Sequence, residues 1–367
     1  MKRNFAALLA LALFRLPLAG QEIESNNFFQ PYASATLETW SLLDGGVGSG
    51  NRSMGLIDLG ADFELSEQTK GHFNFFAFGG DRDVDGFTGD FGVFSNIITD
   101  SKVILFTAWL EHSFDDMHIR FGQLASDESF YVSESGALFI NANFGAIPTV
   151  SANVSAPIFS VGSAGIEWLQ ELNTGYWKTA VYAGDPGPGN ESDHGLNWKM
   201  GGEAGYFFIA ERGWNYHATR EQNSVFKIGA YYHSGIFESF SQDSNVKGNH
   251  AFYAIVDHSI GDSISVFSRI GFNPKSDRSA VTRYFDLGVN LNGFVESRPD
   301  DTLGIAYSRT SFSSDDAIRP AEEVFEITYA SQLAAIWSIQ PSIQWILNAR
   351  ETSKDALVAG IRLTTDF

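Results

Sequence analysis

The sequence predicts an all-β protein: a transmembrane antiparallel β-barrel of about sixteen strands, with a long loop folded into the lumen. Three observations predict it. The last segment, Asp355–Phe367, alternates with a period of two. Phe367, Thr365, Leu363, Ile361, Ala359 and Leu357 form a mostly apolar face, while Asp366, Thr364, Arg362 and Gly360 form a polar or small one. That is a strand with one oily and one wet face, and it ends on an aromatic residue. Segments of the same kind recur along the chain. Finally, the connections between them alternate long and short, as extracellular loops and periplasmic turns do.

The segments lie near Tyr32–Trp40, Met54–Leu65, Gly71–Gly79, Lys102–His112, Met117–Leu124, Ala164–Leu172, Gly175–Ala183 and Asn197–Ala210. They continue at Gln222–His233, Asn249–His258, Asp262–Phe272, Thr282–Leu291, Asp301–Thr310, Glu322–Leu333, Ala335–Leu347 and Asp355–Phe367. An even number suits a bacterial barrel. Short connections fall at Ser66–Lys70, Asp115–Asp116, Asn173–Thr174, Ile260–Gly261 and Ala334, with longer ones between them. This alternation puts the C-terminus in the periplasm. Glu211–Glu221 and Asn292–Asp300 are longer than a periplasmic turn usually is.

Composition excludes other classes. No run of about 18 apolar residues follows the N-terminus, which argues against helical membrane spans. Phenylalanine stands at 32 and glycine at 36, which suits strands, tight turns and interfacial girdles. The chain has no cysteine, so it has no disulfide and no thiolate metal site. A net charge of −20 does not seek nucleic acid. Residues 1–20 read as a secretory signal, with Lys2 and Arg3 before the apolar Phe5–Phe14, leaving 21–367 as the barrel.

Parity assigns faces. Trp337 and Trp345 lie eight residues apart on one face of their strand, as two interfacial girdles would place them. Asp58, Asp62 and Glu64 form an acidic inward row; Arg120, Lys178, Lys227, Arg269 and Arg362 also point inward.

Several blocks then matter together. They are Gly89-Asp90-Phe91-Gly92-Val93-Phe94-Ser95-Asn96-Ile97, Trp109-Leu110-Glu111-His112, Gly122-Gln123, Asp127-Glu128-Ser129-Phe130 and Leu138-Phe139-Ile140-Asn141 with Phe144-Gly145. Near the end come Glu326-Ile327-Thr328-Tyr329, Gln340-Pro341-Ser342-Ile343-Gln344-Trp345 and Ala356 to Leu363. In order and spacing the chain resembles the carbohydrate-selective porin family, often called the OprB family. The resemblance implies a sixteen-stranded outer-membrane porin of a Gram-negative bacterium, passing sugars by diffusion with no catalysis and no cofactor. A general cation-preferring porin is the alternative.

The connection Ala125–Ser163 is too long for an ordinary loop, and folding into the lumen would narrow a pore. It carries Asp127, Glu128, Glu134, Asn141 and Asn143, with Phe130, Tyr131, Phe139 and Phe144. Carboxylates and amides answer sugar hydroxyls, and rings answer sugar faces. The plainer reading is that the rings anchor the loop and the acids cap turns. The inward bases Arg120, Lys178, Arg269 and Arg362 either set a transverse field across the constriction or form wall-stiffening ion pairs.

Asp81, Asp83 and Asp85 copy the start of an EF-hand loop, but position twelve is Gly92 rather than Glu. A calcium ion there competes with a plain acidic turn. The eight histidines are not at metal-ligand spacing, and no Gly-x-Ser-x-Gly or Gly-Lys-Ser/Thr motif occurs. An outer-membrane hydrolase would need a constellation around His233 or His258. Expected partners are sugars, outer-membrane lipid and, through Phe367, the barrel assembly machinery; the chain is a monomer or a homotrimer and binds no nucleic acid.

Overall fold

The computed structural model describes residues 28–100, 103–187, 194–219, 222–241, 244–315, 320–349 and 354–367. The expected signal segment lies outside them. Sixteen strands form one closed barrel, each pairing antiparallel with its sequence neighbours. In order they are β1 (Phe29–Gly45), β2 (Asn51–Ser66), β3 (Thr69–Gly80), β4 (Val103–Phe114), β5 (Met117–Leu124), β6 (Ser163–Leu172), β7 (Gly175–Ala183) and β8 (Tyr206–Thr219). The second half comprises β9 (Gln222–Glu238), β10 (Asn245–Ile260), β11 (Ile264–Phe272), β12 (Val281–Asn292), β13 (Thr302–Phe312), β14 (Ala321–Ala334), β15 (Trp337–Leu347) and β16 (Ala356–Asp366).

Closure joins β1 to β16, from Ser34 opposite Asp366 to Gly45 opposite Ala356. It leaves no open sheet edge, the condition for a sheet to sit in hydrocarbon. Trp40 faces Gly360 across this seam, and a Cβ on Gly360 would lie 2.3 Å from the Trp40 ring. The missing side chain gives the indole its place, where it is fully buried with its Nε1 donating to Glu38 at 2.6 Å.

Alternation holds on each wall. On β14 and β15, Phe325, Ile327, Ile343 and Trp345 are exposed on the outside, while Glu326, Thr328, Ser342 and Gln344 are buried inside. An apolar exterior and polar interior are the reverse of a soluble sandwich and match a membrane barrel.

The main departure from expectation is Asn197–Ala210. Its strand begins at Tyr206, and the preceding residues form a small turn closed by Gly201 and Gly205. Gly201, Gly202 and Gly205 all have positive φ, 72°, 56° and 67°, which interrupts a strand cheaply only at glycine. The same strand runs on to Thr219, which pairs with Gln222, so residues 211–219 of the long turn expected at Glu211–Glu221 are strand. The connection expected at Ser41–Ser53 shrinks likewise, because β1 and β2 extend into it.

Candidate functional site

Two connections fold into the barrel. The first follows β3 and spans residues 81–100; the second follows β5 and spans 125–162. A backbone buried inside a barrel must satisfy its own N–H and C=O groups. The wall does this with the charged residues that parity points inward.

Carboxylates take the backbone donors. Glu322 on β14 accepts from the amides of Phe91 and Gly92, both at 2.8 Å. Two alternation steps further, Glu326 accepts from Ile140 and Asn141, both at 2.9 Å, and from Ser342. Glu211 accepts from Tyr131 N at 3.0 Å, and Asp257 from the Ser133 hydroxyl at 2.6 Å. Bases and amides take the backbone acceptors. Lys178 donates to Ser129 O, Lys227 to Val132 O, Gln340 to Leu138 O and Gln344 to Phe94 O. The segments also bond each other, Asn96 N to Ile140 O and Ala142 N to Val93 O.

Arg269 is the tightest clamp. It is 1% exposed and pairs with Asp286 at 2.6 Å. It also donates to Gly145 O at 2.5 Å and Asn143 O at 3.1 Å. The Tyr284 hydroxyl lies 2.6 Å from Asn143 O. Around this point Phe139 and Phe144 pack on Phe267 of β11.

The candidate residues therefore separate into two sets. Phe130, Phe144, Asn141, Asn143 and Arg269 are buried, between 0% and 3% exposed. Their rings and amides hold the loop to the wall: Asn141 donates to Gln344 and Asn143 to Ser308. They face protein, not the channel, which is a correction to their expected contact with solute. Sequence parity tells which residues point inward; it does not tell which of those a second segment then covers. Tyr131 and Phe139 are buried in the same way.

The second set keeps water access. Glu128 and Glu134 are exposed on the inserted segment, and the carboxylate of Asp127 is buried beside Glu128. Arg120, Lys178 and Arg362 are half-buried on the wall. Arg120 lies between Glu111 at 2.8 Å and Glu167 at 3.7 Å, and its guanidinium stacks over Trp109 at 4.1 Å. Arg362 pairs with Glu38 at 2.5 Å and reaches Asn96 of the first inserted segment. Wall residues that sequence reasoning left out stand beside Arg120. Tyr32, His72 and Trp109 form a cross-strand ring stack, with centroids 6.1 and 5.3 Å apart, and His72 bonds Asp62 at 2.8 Å. Their common inward parity on β1, β3 and β4 was the signal available.

Glu128 stands in the field of Arg120, Glu167 and Asp58, with Asp127 beside it. Desolvation by the surrounding protein, then the Asp127 charge, push its carboxyl up to about 8. Asp127, which accepts from Phe159 N at 2.8 Å, is pushed up to about 6 by burial. A raised carboxyl is neutral below its pKa and negative above it. The narrowing therefore gains a negative charge between pH 7 and 9. The cation-to-anion permeability ratio, measured from reversal potentials, should rise by about two- to fivefold over that range. Glu128→Gln should flatten it, and a flat wild-type profile would contradict the assignment.

The acids proposed for calcium are otherwise engaged. Asp83 accepts from Gly86 N at 2.7 Å and pairs with Arg52, while Asp81 accepts from Ser53 N. Among the described residues no group of three or more His, Asp or Glu is placed to hold a metal ion. Asp81 and Asp83 thus cap the turn, as the plainer of the two readings of this stretch has it. His233 is buried, with Nε2 2.6 Å from Gly184 O.

Solved structures share this architecture. OprB of Pseudomonas putida in a high-pH structure matches with TM-score 0.83 at 15% identity, covering 93% of this chain and 95% of that one. Its low-pH structure gives 0.59 at 13% identity, covering 93% of each. A Rh. blastica porin variant gives 0.58 at 11% identity, covering 92% of this chain and all of that one. No curated protein matches the sequence. The family model described as carbohydrate-selective porin, OprB family, matches residues 61–367. A closed sixteen-stranded barrel, two segments clamped in its lumen and a family match over most of its length lead to one conclusion: this chain is a porin, not an enzyme, and belongs to the carbohydrate-selective OprB family.

Proposed function

We propose that the chain passes sugars and similar neutral polyols down their gradient across the outer membrane of a Gram-negative bacterium. The observation that carries this reading is a cluster of inward side chains on β1 to β5 that keep water access near Glu128: Tyr32, Asp58, Asp62, His72, Trp109 and Arg120. The clamped segments cover other parts of the wall, packing Phe94 on Trp40 of β1 and Phe159 on Phe76 of β3. Acceptors, donors and rings along one narrow path suit a polyhydroxylated solute, and the path carries no nucleophile. Selectivity comes from the width left by the inserted segments and from Asp127, Glu128, Glu134, Arg120, Lys178 and Arg362.

Each barrel holds its own path, so a monomer and a homotrimer serve equally. The terminal Phe367 is the handle for the barrel assembly machinery, and the outward apolar band meets outer-membrane lipid. A cation-preferring general porin is the second reading, favoured by the surplus of carboxylates beside Glu128.

Liposome swelling separates the two. Vesicles containing the protein should swell faster in glucose than in a zwitterionic solute of equal size. Equal swelling, together with strong cation preference, would favour the general porin.

A further inference from the structure

The outer wall carries a feature that solute passage does not use. Where β10 to β13 approach the extracellular end, a groove of about 500 Å³ opens on the outer surface. Its apolar lining includes Phe252, Ile270, Phe272 and Phe285, all exposed on the outside, with the small Ala254 as floor. Register puts them side by side: Phe252 opposite Phe272, Ala254 opposite Ile270, Ile270 opposite Phe285.

Two arginines line the same groove. Arg283 lies opposite Phe272, and Arg309 opposite Phe285. Arg309 is paired with Glu323. Arg283 is exposed and has no ion-pair partner among the described residues. Below it on the same face of β12 come Phe285, Leu287, Val289 and Leu291. An arginine on a lipid-facing wall is costly at mid-membrane and cheap only near the interface. Arg283 therefore marks the headgroup level, and the groove runs from there into the acyl layer.

The connection above adds charge. Lys275 and Arg278 sit close enough for their fields to reach His250, which packs edge-on to Phe252 at 5.9 Å. Arg278 is paired with Asp277 at 2.7 Å. Among the described residues, four cationic side chains thus meet the carboxylates of Asp277, Asp315 and Glu323 here, in a chain whose net charge is −20. A local positive excess above an apolar groove is complementary to one kind of occupant: an anionic headgroup carrying acyl chains. Guanidinium forks favour phosphate in particular.

We propose that this groove binds the phosphorylated glycolipid of the outer leaflet, its phosphate on Arg283 and Lys275 and an acyl chain between Phe252, Ile270, Phe272 and Phe285. The proposal rests on the outer-membrane reading above, but not on which solute passes. Bound lipid would brace the side of the barrel whose inner face holds Arg269 and the inserted segment.

Native mass spectrometry of the delipidated full-length protein tests it, with bisphosphorylated lipid A, its dephosphorylated form and phosphatidylglycerol as probes. Wild-type protein should retain bisphosphorylated lipid A about tenfold better than either of the others. Arg283→Ser with Lys275→Ser should lose that margin. Ala254→Trp, which fills the groove and leaves every charge in place, should lose retention of all three. Heat-modifiable mobility on gels confirms that each variant is folded, and channel formation in bilayers confirms the membrane reading independently. Unchanged retention in both variants would overturn the proposal. So would phosphatidylglycerol held as tightly as lipid A, or oligomers that the groove variants dissociate while no lipid is held.

Discussion

Arg269→Met should open the channel. The substitution keeps volume but leaves the fully buried Asp286 carboxylate without its ion-pair partner and removes the guanidinium from the carbonyls of Asn143 and Gly145. Breaking a buried pair by removing one side costs about 3–5 kcal/mol. The barrel has sixteen hydrogen-bonded strand pairs to absorb a loss; the inserted segment at this point is held by Arg269, Tyr284, Ser308 and the packing of Phe139 and Phe144 on Phe267. The segment should therefore yield first. Single-channel conductance should rise several-fold, and the exclusion limit in liposome swelling should move to larger sugars. Chemical unfolding followed by tryptophan fluorescence should show an earlier first transition. Wild-type conductance in a folded Arg269→Met barrel would mean that the clamp does not set the pore.

The second large effect is expected from Glu322→Ala combined with Glu326→Ala. These two residues, which flank Val324 on one face of β14, hold four backbone amides, Phe91 and Gly92 of the first segment and Ile140 and Asn141 of the second. A hydrogen bond to a charged group contributes about 1.5–3 kcal/mol, and the amides left behind lie where bulk water does not reach easily. Both segments should detach together, because they also bond each other through Asn96 and Ile140. Limited proteolysis should then cut between residues 125 and 162 while the barrel keeps its folded mobility. Protease resistance in the double variant would contradict the anchoring role.

The barrel was legible in the sequence because its cause is local. A period of two with one apolar face is written residue by residue, and all sixteen strands follow from it. The boundary that moved furthest did so at β8, where the glycines at 201, 202 and 205 stop a pattern that alternation alone would continue. The site was legible only by direction. Arg120, Lys178, Arg269 and Arg362 were placed inside by parity, and each contacts the wall or an inserted segment there. What parity lacks is depth. Whether an inward side chain meets water or a covering segment depends on contacts more than a hundred residues apart, such as Arg269 with Asn143. For the same reason the insertion of residues 81–100 escaped notice, although Phe87, Phe91 and Phe94 are too apolar a set for an open surface loop; Phe87 and Phe94 in fact pack on Trp40 beside the barrel seam.

The inward charges thus have a primary role that is structural. Glu211, Asp257, Glu322, Glu326, Lys178, Lys227 and Arg269 are spent on backbone groups of the inserted segments, and others pair with one another, as Arg120 does with Glu111. This is why a strongly acidic chain can hold a path for neutral molecules: the formal charge of the lumen exceeds the charge that a passing solute meets.

The central claim is that the water-accessible path near Glu128 binds sugars as they pass. Single-channel current in a planar bilayer, titrated with glucose, tests it most directly. The account predicts saturable block, with the affinity reduced in His72→Ala, whose ring stacks between Tyr32 and Trp109 on the wall of the path. Open channels whose current is indifferent to glucose and to other sugars would contradict it.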